Sequence, residues 1–133
     1  MIKITGSCHC ARVKIQIPKN LNDVRLCYCQ TCQKLSGSAF SAVSMVAAHD
    51  FIILKGQDNL THYKSSPNKT RFHCKTCFSP IYVQLDSKPN EKRIRLGLLN
   101  EEPTVNITAH IWVSEKPDWV VINDDLPQLQ EFV

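Results

Sequence analysis

Arg12-Val13-Lys14-Ile15-Gln16-Ile17 alternates polar and β-branched residues, so Val13, Ile15 and Ile17 share one face and Arg12, Lys14 and Gln16 the other. A period of two is the pattern of a half-buried strand, and it recurs along the chain. Further short strands are expected at 24–28, 40–46, 51–54, 60–63, 70–73, 81–85, 94–99, 109–113 and 119–122. Turn-forming clusters separate them: Pro18-Lys19-Asn20, Lys55-Gly56, Ser65-Ser66-Pro67-Asn68, Lys88-Pro89-Asn90, Glu102-Pro103 and Lys116-Pro117-Asp118. Strands this short and regularly spaced predict a mainly β domain. The one helical segment expected is a turn or two over 29–35, stopped by Gly37.

The chain has 133 residues, enough for one domain, expected over 1–133, and too few for two ordinary ones. Its 43% hydrophobic and 21% charged residues are close to globular averages, which excludes disordered and fibrous classes. No apolar run approaches the ~20 residues that cross a bilayer. The start, Met1-Ile2-Lys3-Ile4, has no charged-then-apolar leader. A soluble, cytoplasmic protein without a membrane partner is the expectation.

Seven cysteines are unusual at this length, and an odd number argues against a disulfide framework. They fall only as Cys8-His9-Cys10, Cys27-Tyr28-Cys29-Gln30-Thr31-Cys32 and Cys74-Lys75-Thr76-Cys77. Spacings of two and three suit metal ligands. In Cys8-x-Cys10, strand geometry points both thiols to one side. Cys74-x-x-Cys77 has the spacing of a zinc knuckle. Each pair supplies half a tetrahedron, and together they predict a closed four-thiolate structural site for which zinc is the default ion.

Cys27, Cys29 and Cys32 offer three thiolates and leave one position open, the pattern of a working zinc site. Three thiolates leave the ion with a net negative charge, so it acidifies water poorly and suits capture of another soft ligand, a thiol. A histidine could instead close the shell, with His9, His49, His62, His73 and His110 as candidates. Cys29-x-x-Cys32 also has dithiol oxidoreductase spacing, although a third cysteine and β surroundings do not fit that chemistry. His110, in Ala109-His110-Ile111-Trp112-Val113, reads equally as a core histidine or a pocket residue.

Beyond the central cysteines, Lys34-Leu35-Ser36-Gly37-Ser38-Ala39-Phe40 offers candidate substrate contacts at Lys34, Gly37, Ser38 and Phe40. Gly37 and its flanking serines could turn amides toward a carboxylate, or simply cap the helix. Arg25 and Lys34 are candidate anion contacts, and Tyr28, Trp112 and Trp119 candidate pocket walls. The formal charge is +4, with 15 basic and 5 acidic residues before position 100 and 1 and 7 after it. Two divalent ions on seven thiolates would bring the total to about +1, so the basic residues do not call for a nucleic-acid partner.

Read in order, Gly6-Ser7-Cys8-His9-Cys10, the run from Cys27 to Phe40 and Arg71-Phe72-His73-Cys74-Lys75-Thr76-Cys77 resemble the glutathione-dependent formaldehyde-activating enzyme family, which includes centromere protein V. Gly97 to Pro103, His110 to Val113 and Trp119 to Pro127 are similar to its closing segments. The resemblance implies an Mss4-like fold of short antiparallel sheets with two zinc ions: a structural one on Cys8, Cys10, Cys74 and Cys77, and a catalytic one on Cys27, Cys29 and Cys32. It implies a carbon–sulfur lyase that joins glutathione, a small thiol substrate, to formaldehyde. A non-catalytic zinc module binding a protein or nucleic acid is the alternative on the same fold. Family members usually have glycine where this chain has Ala11 and Phe78, so a different local turn is expected there. Asn100-Glu101-Glu102 replaces a usual Asp-Asp pattern.

Overall fold

The computed structural model describes residues 1–132. Its strands are β1 (Lys3–Ser7), β2 (Lys14–Pro18), β3 (Asn20–Cys27), β4 (Ser41–Ala47), β5 (Ile52–Lys55), β6 (Leu60–Ser66), β7 (Lys69–Cys74), β8 (Pro80–Leu85), β9 (Glu91–Arg95) and β10 (Thr104–Ile111). One α-helix, α1 (Gln30–Ser36), lies between β3 and β4. A three-stranded sheet has the order β1-β2-β5, and a seven-stranded sheet the order β10-β3-β4-β9-β8-β7-β6. The fold is mainly β, as the alternation predicts. Among the described residues no helix is long and apolar enough to cross a membrane.

Burial follows the period of two. In β2, Ile15 and Ile17 are buried while Lys14 is exposed. Their face meets one face of the large sheet, where Val24, Ile81, Tyr82 and Ile94 join the same core. Phe72 stacks on Tyr82 at 4.5 Å, and Phe51 meets Tyr82 at 4.9 Å. Fully burying one such aliphatic or aromatic side chain contributes roughly 1.5–3 kcal/mol, so this apolar layer holds the two sheets together.

The structure corrects three expectations. First, β10 pairs with β3 in parallel, from Thr104 opposite Asn20 to Ile111 opposite Cys27, so the large sheet is not wholly antiparallel. Second, 119–122 is not a strand. The free edge of β10 is taken instead by the tail: the His110 amide donates to the Pro127 carbonyl at 2.9 Å, and the Leu129 amide to the His110 carbonyl at 2.9 Å. Trp119 and Val121 are left 76% and 72% exposed. Third, β1 is a strand that the alternation did not flag, because Gly6 interrupts it. A Cβ on Gly6 would stand 3.1 Å from the Leu98 carbonyl oxygen and 3.2 Å from Ile15, so this strand passes too close to its neighbours for a side chain.

Candidate metal centre and active site

Two tight turns bring the outer cysteines together. In the first, the Ala11 amide donates to the Cys8 carbonyl at 2.9 Å; in the second, the Phe78 amide donates to the Cys74 carbonyl at 2.8 Å. Ala11 and Phe78 adopt φ of 66° and 62°, the left-handed conformation that glycine enters without strain. The expected difference in the turns is therefore absent: both residues accept the strained backbone.

Cys8, Cys10, Cys74 and Cys77 place their sulfurs within 4.8 Å of one another. Cys8 and Cys10 Sγ are 3.6 Å apart, and Cys10 and Cys74 Sγ 3.7 Å. Zinc–sulfur bonds of about 2.3 Å in a tetrahedron set sulfurs about 3.8 Å apart, so the donor set and its spacing fit zinc. The Val13 amide and the Asn59 side-chain amide each donate to a sulfur, of Cys8 and Cys74, at 3.3 Å. Such donors favour the thiolate, the form that binds metal. Cys74 is fully buried, and this cluster belongs to the main core, tying the start of the chain to the β7–β8 turn.

The second cluster is set by the junction of β3 and α1. Cys27 ends β3, and Cys29 is the helix N-cap, its sulfur accepting from the Cys32 amide at 3.3 Å. One turn into the helix, Cys32 comes round to the same side. The three sulfurs also lie within 4.8 Å of one another, and among the described residues no histidine or carboxylate joins them. Hydrogen bonds from Cys27 and Cys29 pull Cys32 far below the ordinary thiol range, and the charges of Arg95 and Arg71 act in the same direction. Bonding to the Cys29 and Cys32 thiols, with burial, pushes Cys27 far up. None of the seven cysteines is in a disulfide.

These thiols face a cavity of about 220 Å³ whose apolar walls include Val43, Met45, Leu85, Ile111, Trp112 and Phe132. Trp112 reaches it from a left-handed backbone, φ 56°, at the end of β10. Its floor is the outer face of the large sheet. Arg71 lies opposite Val83 and Val83 opposite Arg93, while Arg95 lies opposite Val43, so the cations of β7 and β9 share this face. Lys69, two residues before Arg71, joins them at the cavity. The sequence reading missed Lys69, Arg71, Arg93 and Arg95. The signal was present: Lys69-Thr70-Arg71 and Arg93-Ile94-Arg95 are period-two cations inside strands, where a solvent-facing explanation competes.

The other sequence candidates go elsewhere. Phe40 packs on Tyr28 at 5.4 Å and lines a separate cavity of about 350 Å³. Lys34, Gly37 and Ser38 line a shallow groove beside Trp119 on the outside of α1, away from the thiols. Gly37, φ 70°, is the helix C-cap, its amide donating to the Gln33 carbonyl at 2.8 Å, and the Ser38 amide donates to Ser36 Oγ at 3.1 Å. Neither amide is presented to a ligand. His110 is buried between Tyr28, whose hydroxyl is 2.9 Å from Nδ1, and Asp124, 3.0 Å from Nε2. It is a satisfied core histidine and closes neither cluster. Arg25 is paired with Asp23 at 3.1 Å and lies over the Phe132 ring at 3.9 Å.

Comparison with known proteins places this arrangement. The family model described as glutathione-dependent formaldehyde-activating enzyme matches residues 3–115. A Halomonas elongata protein named "Putative glutathione-dependent formaldehyde-activating enzyme" is 26% identical over 130 residues, covering 90% of this chain and 80% of that protein. A Penicillium rubens protein of the same name is 32% identical over 81 residues, 59% of this chain and 42% of that protein. A Rhodobacter sphaeroides protein of known crystal structure has a similar fold, with a TM-score of 0.63 at 27% identity, covering 77% of this chain and 91% of that one. A family match spanning all three cysteine motifs leaves one assignment: the chain belongs to the glutathione-dependent formaldehyde-activating enzyme family.

Proposed function

We propose that the protein is a zinc-dependent carbon–sulfur lyase that interconverts a small thiol plus formaldehyde with the S-hydroxymethyl thiol, glutathione being the thiol. The observation that carries this reading is the trio of Cys27, Cys29 and Cys32 sulfurs facing a cavity, with no fourth side-chain ligand among the described residues. Zinc bound there supplies affinity for a thiolate and stabilises developing negative charge. A second zinc on Cys8, Cys10, Cys74 and Cys77 serves the fold alone.

The chain's own residues do the positioning. Trp112, Ile111, Val43 and Met45 form an apolar wall of the space beside the sulfurs, against which a thiol and an aldehyde are held in contact. In the forward direction the substrate sulfur bonds to the formaldehyde carbon, the carbonyl π pair moves to oxygen, and the proton lost by the thiol ends on that oxygen. No atom is left over, and the reverse cleaves the same carbon–sulfur bond. An odd number of cysteines grouped at metal-ligand spacings, with none in a disulfide, suits a reducing compartment, and we place the protein in the cytoplasm.

Thiols add to formaldehyde unaided, so the test is exchange NMR between free formaldehyde and the adduct, with and without enzyme. The expected result is faster exchange that Cys29→Ser abolishes. Exchange no faster than in buffer, or unaffected by that substitution, overturns the reading in favour of a non-catalytic zinc module.

A further inference from the structure

We propose that Arg71 and Arg95 form a carboxylate clamp beside the three-thiol centre, selecting thiols that carry a carboxylate; this rests on the thiol reading above and assigns the part of the substrate remote from sulfur. Arg71 is 4% exposed, as buried as the core around it, which is unusual for a guanidinium. Its Nε donates to Ser65 Oγ at 2.9 Å, but its Nη1 has no hydrogen-bond partner, and neither has Nη1 of Arg95. A buried guanidinium nitrogen left unpaired is costly, and two on one sheet face, lining the same cavities, suit an anion.

Both arginines border two cavities at once, the thiol cavity of about 220 Å³ and the neighbouring one of about 350 Å³. With Val83 they are the residues that line both cavities, and so mark the border between the two. Ser41, opposite Cys27 in the β3–β4 ladder, adds a buried hydroxyl without a partner at the second cavity.

Charge balance with the thiolates does not account for the cluster. Three thiolates on a divalent ion carry one net negative charge. Against it stand four cations, Lys69, Arg71, Arg93 and Arg95. Arg93 is paired with Glu91 at 3.2 Å, and Glu115 lies at the rim beside Cys29 and Lys69. Four positive charges against two carboxylates and the metal centre leave a surplus of about +1, which one carboxylate neutralises. Guanidinium geometry further favours a planar, two-oxygen anion over a point charge.

The test separates carboxylate from thiol on the zinc-loaded full chain. S-methylglutathione keeps both carboxylates and blocks the sulfur; glutathione diethyl ester keeps the sulfur and blocks the carboxylates. NMR of the arginine Nε–H groups, assigned with Arg71→Lys and Arg95→Lys, reads the clamp directly. S-methylglutathione is expected to shift both signals saturably and the ester to leave them unmoved. Calorimetry is expected to show glutathione binding weakened about tenfold or more by Arg95→Ala. Arg95 is only half-buried, so that variant keeps the question answerable if the Arg71 variants fail to fold. Arginine signals that ignore S-methylglutathione, or an ester that binds as tightly as glutathione, overturn the clamp. Loss of the lyase reading shows separately, as formaldehyde exchange indifferent to Cys29→Ser, while the arginine shifts still decide the clamp.

Discussion

Replacing Ala11 with glycine is expected to stabilise the protein, although it removes a methyl group and loosens the unfolded chain. Ala11 sits at φ 66° in the turn that presents Cys8 and Cys10. An L-residue in that conformation costs about 1–2 kcal/mol, which glycine does not incur. Glycine gives back about 0.4–1 kcal/mol through the extra freedom of the unfolded state. The Ala11 methyl is exposed, so no packing is lost. The net gain is about 0.5–1 kcal/mol, or a rise in Tm of about 2–4 °C for a domain of this size. Urea unfolding of the zinc-loaded protein, at fixed free zinc because a bound ion adds its own stabilisation, measures it. Phe78→Gly relieves the same strain at φ 62° but forfeits the contacts of a ring that is 67% exposed, so its gain is smaller. A neutral or destabilising Ala11→Gly with unchanged metal content would show that the left-handed turn carries no such strain.

Gly56→Ala is expected to be severe, costing several kcal/mol or preventing folding, because the new Cβ would stand 2.2 Å from the Arg12 carbonyl oxygen at φ 86°. Gly37→Ala, at φ 70° with nothing within 4 Å of the added carbon, is expected to cost only about 1 kcal/mol by thermal melting. On the two-zinc proposal, Cys74→Ser is expected to abolish cooperative unfolding and to lower the zinc content by about one ion, whereas Cys29→Ser is expected to keep the fold by circular dichroism and to lose about one zinc by metal analysis. Hydrogen bonds from the Thr5 hydroxyl and amide hold Glu101 below the ordinary carboxylate range, so its contribution is complete above that range and lost as pH falls through the lowered value. Glu101→Gln should therefore flatten the acid limb of the stability profile.

Much of the architecture was legible because strand burial is a local signal. The alternation at 12–17 marks β2, and the spacing of turn residues marks most of the others. The end of helix α1 was readable from Gly37, which takes the left-handed cap that stops it. Pairing was not legible. The parallel partnership of β10 with β3 joins residues some eighty positions apart, and the tail took the edge that 119–122 was expected to fill because partner choice depends on the whole sheet. At the site, the cysteines announce themselves by spacing. The arginines do not, because a strand cation usually points to water, and only the register of β7, β8 and β9 turns Arg71 and Arg95 toward the sulfurs. Ala11 and Phe78 show a further limit: residue type suggested another turn, and the surrounding constraints imposed the same one.

The pairing of β10 with β3 makes one wall of the thiol cavity depend on a late part of the chain. Cys27, Cys29 and Cys32 come well before Thr104–Ile111, the strand that lies along β3 and carries Ile111 to the cavity. Until that strand is in place the trio lacks the wall that Ile111 supplies. The cysteines alone therefore do not make the cavity: its completion waits on the pairing of two strands some eighty positions apart in the chain.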